Sequence, residues 1–266
     1  MVIVMFNIGD CVSRISYNHD VVFEIIDIKG DIAILKGSYV RLLADAPLSD
    51  LVVSDDRDEY EPDNLYDLLD RDEFFYLPGK VLHIDGDESY LNKSMEYYKK
   101  NGVKALGMCL KESDIENKII DLLDETKPDI LIITGHDAIV EKNGDINNID
   151  IYKNSKYFIN SVRKAREYEK SHEKLVVIAG ACQSDYEELI KSGANFASSP
   201  KRVNIHALDP AVIAVTVALT DKNDRLNIKD LLNKTKYGSS GMGGLLGNGM
   251  MYVGYPRWKY VAIEKI

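Results

Sequence analysis

The chain has 266 residues, 45% of them apolar and 29% charged, a balance that excludes a disordered or fibrous protein and leaves room for one large domain or two unequal ones. Its 33 basic and 43 acidic side chains give a net charge of -10, which argues against nucleic acid and anionic membrane as partners. No apolar run approaches the roughly 18 residues needed to span a bilayer.

The opening Met1-Val2-Ile3-Val4-Met5 is too short and too uncharged for a signal peptide, so a cytoplasmic location is expected. In the first sixty residues the apolar stretches are short, β-branched and separated by turn residues. Ile8-Gly9-Asp10-Cys11-Val12 opens a strand, 21–28 supplies a second, and Lys29-Gly30-Asp31 turns the chain into a third at 32–35. This pattern predicts a small SH3-like β-barrel over residues 1–55. The acid-rich stretch 51–72, with its one proline, solvates well and packs poorly, which predicts a linker at 56–77.

From Lys80 onward strands and helices alternate, and each strand is a continuous apolar block of the kind buried on both faces. A strand at 81–84 leads to a helix ending near Lys100. A second strand at 103–110 leads to a helix at 113–124, with Ser113 as N-cap and Glu116 completing a capping box. Strands at 129–134 and 175–179 flank a helix at 155–170; further strands are expected at 195–198 and 203–207. Right-handed crossovers then predict a doubly wound, mainly parallel α/β sheet over residues 78–266. The stretch 238–254 holds seven glycines in seventeen residues without phosphate-loop spacing, and reads as a mobile loop or tight turns at the rim of the sheet.

Ligands of open α/β sheets bind beyond the carboxyl ends of the strands, so the residues just after each apolar block carry the functional information. One block ends Thr134-Gly135-His136-Asp137 and the next Ala179-Gly180-Ala181-Cys182-Gln183-Ser184. If those strands pair, about 4.8 Å apart, His136 and Cys182 come side by side as base and nucleophile. A thiol near its ordinary pKa is mostly protonated at pH 7 and needs such a base. Backbone N–H groups of Cys182 and Asp137 are placed to hold an oxyanion, with Gly135 and Gly180 letting a substrate backbone approach. Asp137 is also a candidate for orienting His136. His206 lies beside a predicted strand end, His83 reads as a core histidine, and His19, His172, Cys11 and Cys109 as incidental. The three cysteines fit neither a disulfide framework nor a zinc site, so reduced thiols and no metal or cofactor are expected.

Cys182 follows His136 by 46 positions within an Ala-Cys dipeptide, an order and spacing close to that of caspases. The domain resembles the caspase, legumain and gingipain group of cysteine peptidases, although that group usually carries His-Gly where this chain has His136-Asp137. A longer set of strings extends the likeness to nearly the whole chain: Ser13-Arg14-Ile15-Ser16-Tyr17, Arg41-Leu42-Leu43-Ala44-Asp45-Ala46-Pro47, Thr134-Gly135-His136-Asp137, Gly180-Ala181-Cys182-Gln183-Ser184 and Ser198-Ser199-Pro200-Lys201-Arg202-Val203-Asn204. On these the chain resembles the YabG family of sporulation-specific proteases. The resemblance implies a caspase-like fold and a mother-cell cysteine endopeptidase that trims spore coat and cortex-associated proteins, usually after arginine, and can cleave itself. An arginine pocket calls for an acid, and Asp185 and Asp209 lie near the expected cleft, with Ser198 and Ser199 as wall candidates. The rival readings are a Mg-dependent phosphohydrolase built on Asp85 and Asp87 after the first parallel strand, and a non-catalytic binding protein.

Overall fold

The computed structural model describes residues 6–55, 60–69, 72–141 and 144–257. The segment read against a signal peptide, parts of the predicted linker (56–59 and 70–71) and the last residues of the predicted α/β domain, 258–266, lie outside the described residues.

Five strands form an antiparallel sheet: β1 (Cys11–Arg14), β2 (Phe23–Lys29), β3 (Ile32–Gly37), β4 (Leu43–Pro47) and β5 (Leu51–Val53), in the order β4-β3-β2-β1-β5. Period-2 alternation drives it, since Phe23, Ile25, Ala33 and Leu35 are buried while Glu24 and Ile26 face outward. Strand β5 uses the first residues of the acid-rich stretch. The described remainder of that stretch lies against the rest of the protein: Leu65 is buried with its N–H on Asn101 Oδ1 at 2.9 Å, and Tyr97 OH donates to Asp63 O at 3.2 Å. Leu65 finds cover while Glu61, Asp63 and Asp67 stay exposed.

After β6 (Phe75–Leu77) come β7 (Val81–Asp85), α1 (Glu88–Lys100), β8 (Ala105–Cys109), α2 (Glu112–Thr126), β9 (Ile130–Thr134), α3 (Ser155–Tyr168), β10 (Val176–Ala179), α4 (Tyr186–Lys191), β11 (Phe196–Ser198), α5 (Asp209–Ala218), α6 (Ile228–Asn233), α7 (Gly238–Gly241), β12 (Met242–Gly244) and β13 (Tyr252–Gly254). The central sheet has six strands in the order β12-β11-β10-β9-β7-β8, all parallel except β12, and β13 pairs with β6. Alternate residues of its strands feed opposite cores. Ile130, Ile132, Val176 and Ile178 pack with α1 and α5 on one face. Leu131, Ile133, Val177 and Ala179 pack with α2, α3 and α4 on the other. Burial on both faces explains why these strands read as unbroken apolar blocks. The first core continues into the N-terminal sheet through Val12, Phe23 and Leu35. No helix among the described residues is long and apolar enough to cross a membrane.

Three local expectations are corrected. Residues 203–207 form no strand of the sheet; they make a single antiparallel bridge, Val40 to His206, and then enter α5. The sixth strand is β12, drawn from the glycine-rich tail, where Gly243 and Gly244 press so close to Tyr186 and Phe196 that a Cβ would collide. Helix α2 starts one residue before Ser113, at Glu112, with Lys111 at its N-cap and no side-chain cap bond.

Candidate active site

Strands β9 and β10 are parallel neighbours, with Ile133 opposite Ala179, so the loops that follow them leave the same rim of the sheet together. His136 rides on the first loop and Cys182 on the second. The loops are tied to one another: Ser184 Oγ donates to Asp137 Oδ2 at 2.9 Å, and the Ile139 N–H donates to Gln183 Oε1 at 3.1 Å. Asp137 is 3% exposed and also accepts from Ser155 Oγ at 2.5 Å and from the backbone N–H groups of Ala138 and Asn154. Its carboxylate therefore braces the backbone of both loops. The acids beside the His136 ring are others, Asp87 Oδ2 at 3.7 Å from Nε2 and Glu112 Oε1 at 3.8 Å from Nδ1.

The His136 ring is mostly enclosed, its Nε2 is buried with no hydrogen-bond partner, and Tyr90 stands beside it with ring centroids 5.8 Å apart. Burial lowers the pKa of His136 below the ordinary imidazole value, opposed by Asp87 and Glu112. The ring is thus neutral at pH 7, the state a base requires. Its backbone N–H is fixed by Glu112 Oε1 at 2.8 Å.

Cys182 is fully buried. Its Sγ accepts the Ile205 N–H at 3.3 Å and lies 3.8 Å from Ile205 O, and burial pushes its thiol pKa up to about 12 despite the neighbouring Arg41. Both hydrogen-bond partners of Cys182 Sγ belong to Ile205, and His136 Nε2 is unpartnered, so the two side chains are not hydrogen-bonded to each other.

The glycines serve the chain's own packing rather than an open channel. Gly180 has φ +106°, and a Cβ there would sit 2.8 Å from Leu189 Cδ1; beside Gly135 the space is filled by Glu112.

The acids expected to line an arginine pocket are engaged. Asp185 caps α4 and lies 3.4 Å from Arg202 Nη2, whose main partner is Glu187 at 2.5 Å. Asp185 Oδ2 has no hydrogen-bond partner, and burial raises its pKa. Asp209, at the first turn of α5, accepts the N–H groups of His206 and Lys236 at 3.0 and 2.8 Å, and burial raises it to about 6. Ser199 Oγ accepts the Gln183 N–H at 3.0 Å, steadying the turn after Cys182; Ser198 Oγ faces Met242 Sδ at 3.6 Å inside the core.

Asp85 and Asp87, the basis of the phosphohydrolase reading, are both met by cations from the N-terminal sheet and its β3–β4 connection. Arg41 Nη1 lies 2.5 Å from Asp85 Oδ2, and Lys36 Nζ lies 2.6 Å from Asp87 Oδ2. Asp85 also accepts Thr134 Oγ1 at 2.9 Å, and Asp87 caps α1 through Ser89 and Tyr90. His83 is held in the core between Tyr98 OH at 2.8 Å and Thr134 Oγ1 at 2.9 Å. The contribution of Lys36 and Arg41 was missed from sequence, because nothing local to residues 36–41 points 44 or 51 positions ahead. A cavity lined by His172, Asn195 and Leu246 opens beside Asp129 and Val176, at the opposite, amino ends of the strands.

A family model described as YabG peptidase U57 matches residues 7–67 and 66–256. The chain is 42% identical to the sporulation-specific protease YabG of Bacillus subtilis (strain 168) over 286 aligned positions, which cover 94% of this chain and 98% of that protein.

Proposed function

The chain belongs to the YabG peptidase family, and on that premise we propose that it is a cysteine endopeptidase of sporulation with Cys182 as nucleophile and His136 as base and acid. The observation that carries this reading is the pair of cross-tied loops after β9 and β10, one bearing a neutral imidazole with an unpartnered Nε2, the other bearing the thiol.

In the proposed reaction His136 Nε2 takes the thiol proton and Sγ bonds to the substrate carbonyl carbon. The carbonyl oxygen becomes an oxyanion held by the N–H groups of Cys182 and Asp137. The C–N bond then breaks, and His136 returns the proton to the departing amine. Water, deprotonated by the same imidazole, hydrolyses the thioester and restores the thiol. No cofactor enters any step.

The same reading takes residues 78–266 as a caspase-like peptidase unit, 1–55 as an SH3-like barrel and 56–77 as the connection. It takes spore coat and cortex-associated proteins as substrates in the mother cell, with cleavage after arginine and self-cleavage. The order strand-His, then neighbouring strand-Cys, supports the caspase-like assignment. The phosphohydrolase reading is not favoured, because Asp85 and Asp87 already neutralise Arg41 and Lys36.

The test is inactivation by iodoacetamide with the labelled thiols mapped by mass spectrometry. Loss of proteolysis in step with labelling of Cys182, together with full activity in a chelator, is the expected result. Activity that survives complete labelling of Cys182 refutes the nucleophile.

A further inference from the structure

The rim that should receive a substrate is filled by the chain itself. The connection between β3 and β4 leaves the N-terminal sheet and lies along the segment that follows β11. Val40 forms an antiparallel bridge with His206, and the Ala207 N–H donates to Tyr39 O at 2.9 Å. The Tyr39 ring is parallel to His206 with centroids 6.4 Å apart. Side chains of α1 hold the backbone of the connection from the other side. Tyr90 OH lies 2.6 Å from Gly37 O and 2.9 Å from Val40 O, its one proton shared between the two carbonyls, and Lys93 Nζ donates to Ser38 O at 2.9 Å. Backbone pairing along an edge, with alternate side chains entering pockets, is how extended peptides are recognised.

The next residue, Arg41, is fully buried at the carboxyl end of β7, on the same rim as His136 and Cys182. One guanidinium nitrogen lies 2.5 Å from Asp85 Oδ2 and a second donates to Ala207 O at 3.0 Å. The ring of Tyr90 lies 5.1 Å from its guanidinium carbon. Two divergent acceptors suit the fork of a guanidinium and not the single head of lysine. Arg41 lowers the Cys182 thiol pKa against the larger effect of burial, and Ala207, which its guanidinium holds, lies two residues beyond Ile205, whose N–H donates to Cys182 Sγ at 3.3 Å. Beyond Arg41 the chain folds back at once, the Leu42 N–H donating to Val40 O at 2.7 Å, and runs into β4. The chain therefore enters the candidate cleft paired through one antiparallel bridge, seats an arginine against Asp85 and turns out again.

We propose that Tyr39, Val40 and Arg41 are an internal substrate mimic covering Cys182, and that Asp85 is the carboxylate that receives the arginine side chain of a peptide substrate once this segment withdraws. The catalytic meaning of this proposal rests on Cys182 being the nucleophile; the binding claim does not. It accounts for a candidate nucleophile with no exposure, and it replaces Asp185 and Asp209 as pocket acids with one that already holds an arginine.

The test uses the full chain with Cys11→Ser and Cys109→Ser, so that Cys182 is the single thiol, and follows its alkylation by iodoacetamide. Arg41→Ala and Tyr90→Phe are each expected to speed alkylation at least tenfold. In the Arg41→Ala protein, acetyl-Tyr-Val-Arg-amide should slow it again, while the Lys and Glu analogues need at least tenfold higher concentrations. Adding Asp85→Asn should erase the advantage of the arginine peptide. Should Arg41→Ala fail to fold by circular dichroism, Tyr90→Phe carries the same comparison, since it removes one hydroxyl and keeps the ring. Unchanged alkylation in the folded variants, or equal protection by the three peptides, overturns the proposal. Neither readout requires turnover. Peptide protection together with undiminished proteolysis by Cys182→Ala would uphold the binding cleft and reject the nucleophile.

Discussion

Ser184 Oγ donates to Asp137 Oδ2 across the gap between the loops that carry Cys182 and His136, and the same Ser184 Oγ accepts the Ala181 N–H at 2.9 Å. One hydroxyl thus joins the Cys182 loop to the His136 loop, while the acids beside the His136 ring are Asp87 and Glu112. In the proposed mechanism Ser184 acts as a positioning residue. Ser184→Ala should lower kcat at least tenfold with little change in KM, at a stability cost of about 1–2 kcal/mol for buried groups left unpaired. A loss confined to stability, with kcat restored at low temperature, would mark the bond as merely structural.

Glu112 holds the His136 backbone N–H and faces its ring. Its charge raises the imidazole pKa against the larger effect of burial. Glu112→Gln keeps an acceptor for the N–H and removes the charge, so the folded pKa should fall further. Because the base must be neutral, the acid limb of kcat/KM should move to lower pH by a fraction of a unit. Movement to higher pH contradicts the assigned neighbours.

The fully buried Arg41–Asp85 pair fixes a pH dependence of stability. Arg41 and the His83 contact hold the Asp85 carboxylate far below its ordinary range, against the cost of burial. A depressed folded pKa gives stability that is complete above the unfolded value of about 3.9 and drains away below it. Urea midpoints should therefore fall steeply below about pH 4 in the parent and less steeply in Asp85→Asn. That variant should also be less stable at pH 7 by about 3–5 kcal/mol, since Arg41 is left buried without its partner.

Gly180 adopts φ +106° in the turn between β10 and Cys182, where a side chain would meet Leu189. Gly180→Ala should cost about 1–3 kcal/mol from backbone strain and displace the turn that carries Cys182. Equal urea midpoints for the two proteins would show that the turn relaxes freely.

The parallel strands were legible because β7, β9 and β10 are buried on both faces and carry polar residues only at their carboxyl ends, Asp85 and Thr134, and at His83, itself satisfied by Tyr98 and Thr134. The ends of β9 and β10 directed attention to His136 and Cys182 for the same reason. Strand β12 was not legible: Met242, Gly243 and Gly244 carry no β signal, and the exposed edge of β11 dictates their conformation. Residues 203–207 have the apolar content of a strand, but among the described residues their β pairing is with Tyr39 and Val40, partners supplied by a distant loop. Arg41 belongs to the same class. Its place beside Cys182 depends on how the N-terminal sheet docks, and that docking is written in no local pattern.

The most direct measurement compares wild type, Cys182→Ala and His136→Ala on a peptide library read by mass spectrometry, with circular dichroism confirming that all three are folded. The expected result is cleavage by wild type, enriched after arginine, and none above background by either variant. Cleavage by folded Cys182→Ala at close to the wild-type rate would contradict the assignment of the nucleophile and with it the cysteine-peptidase mechanism.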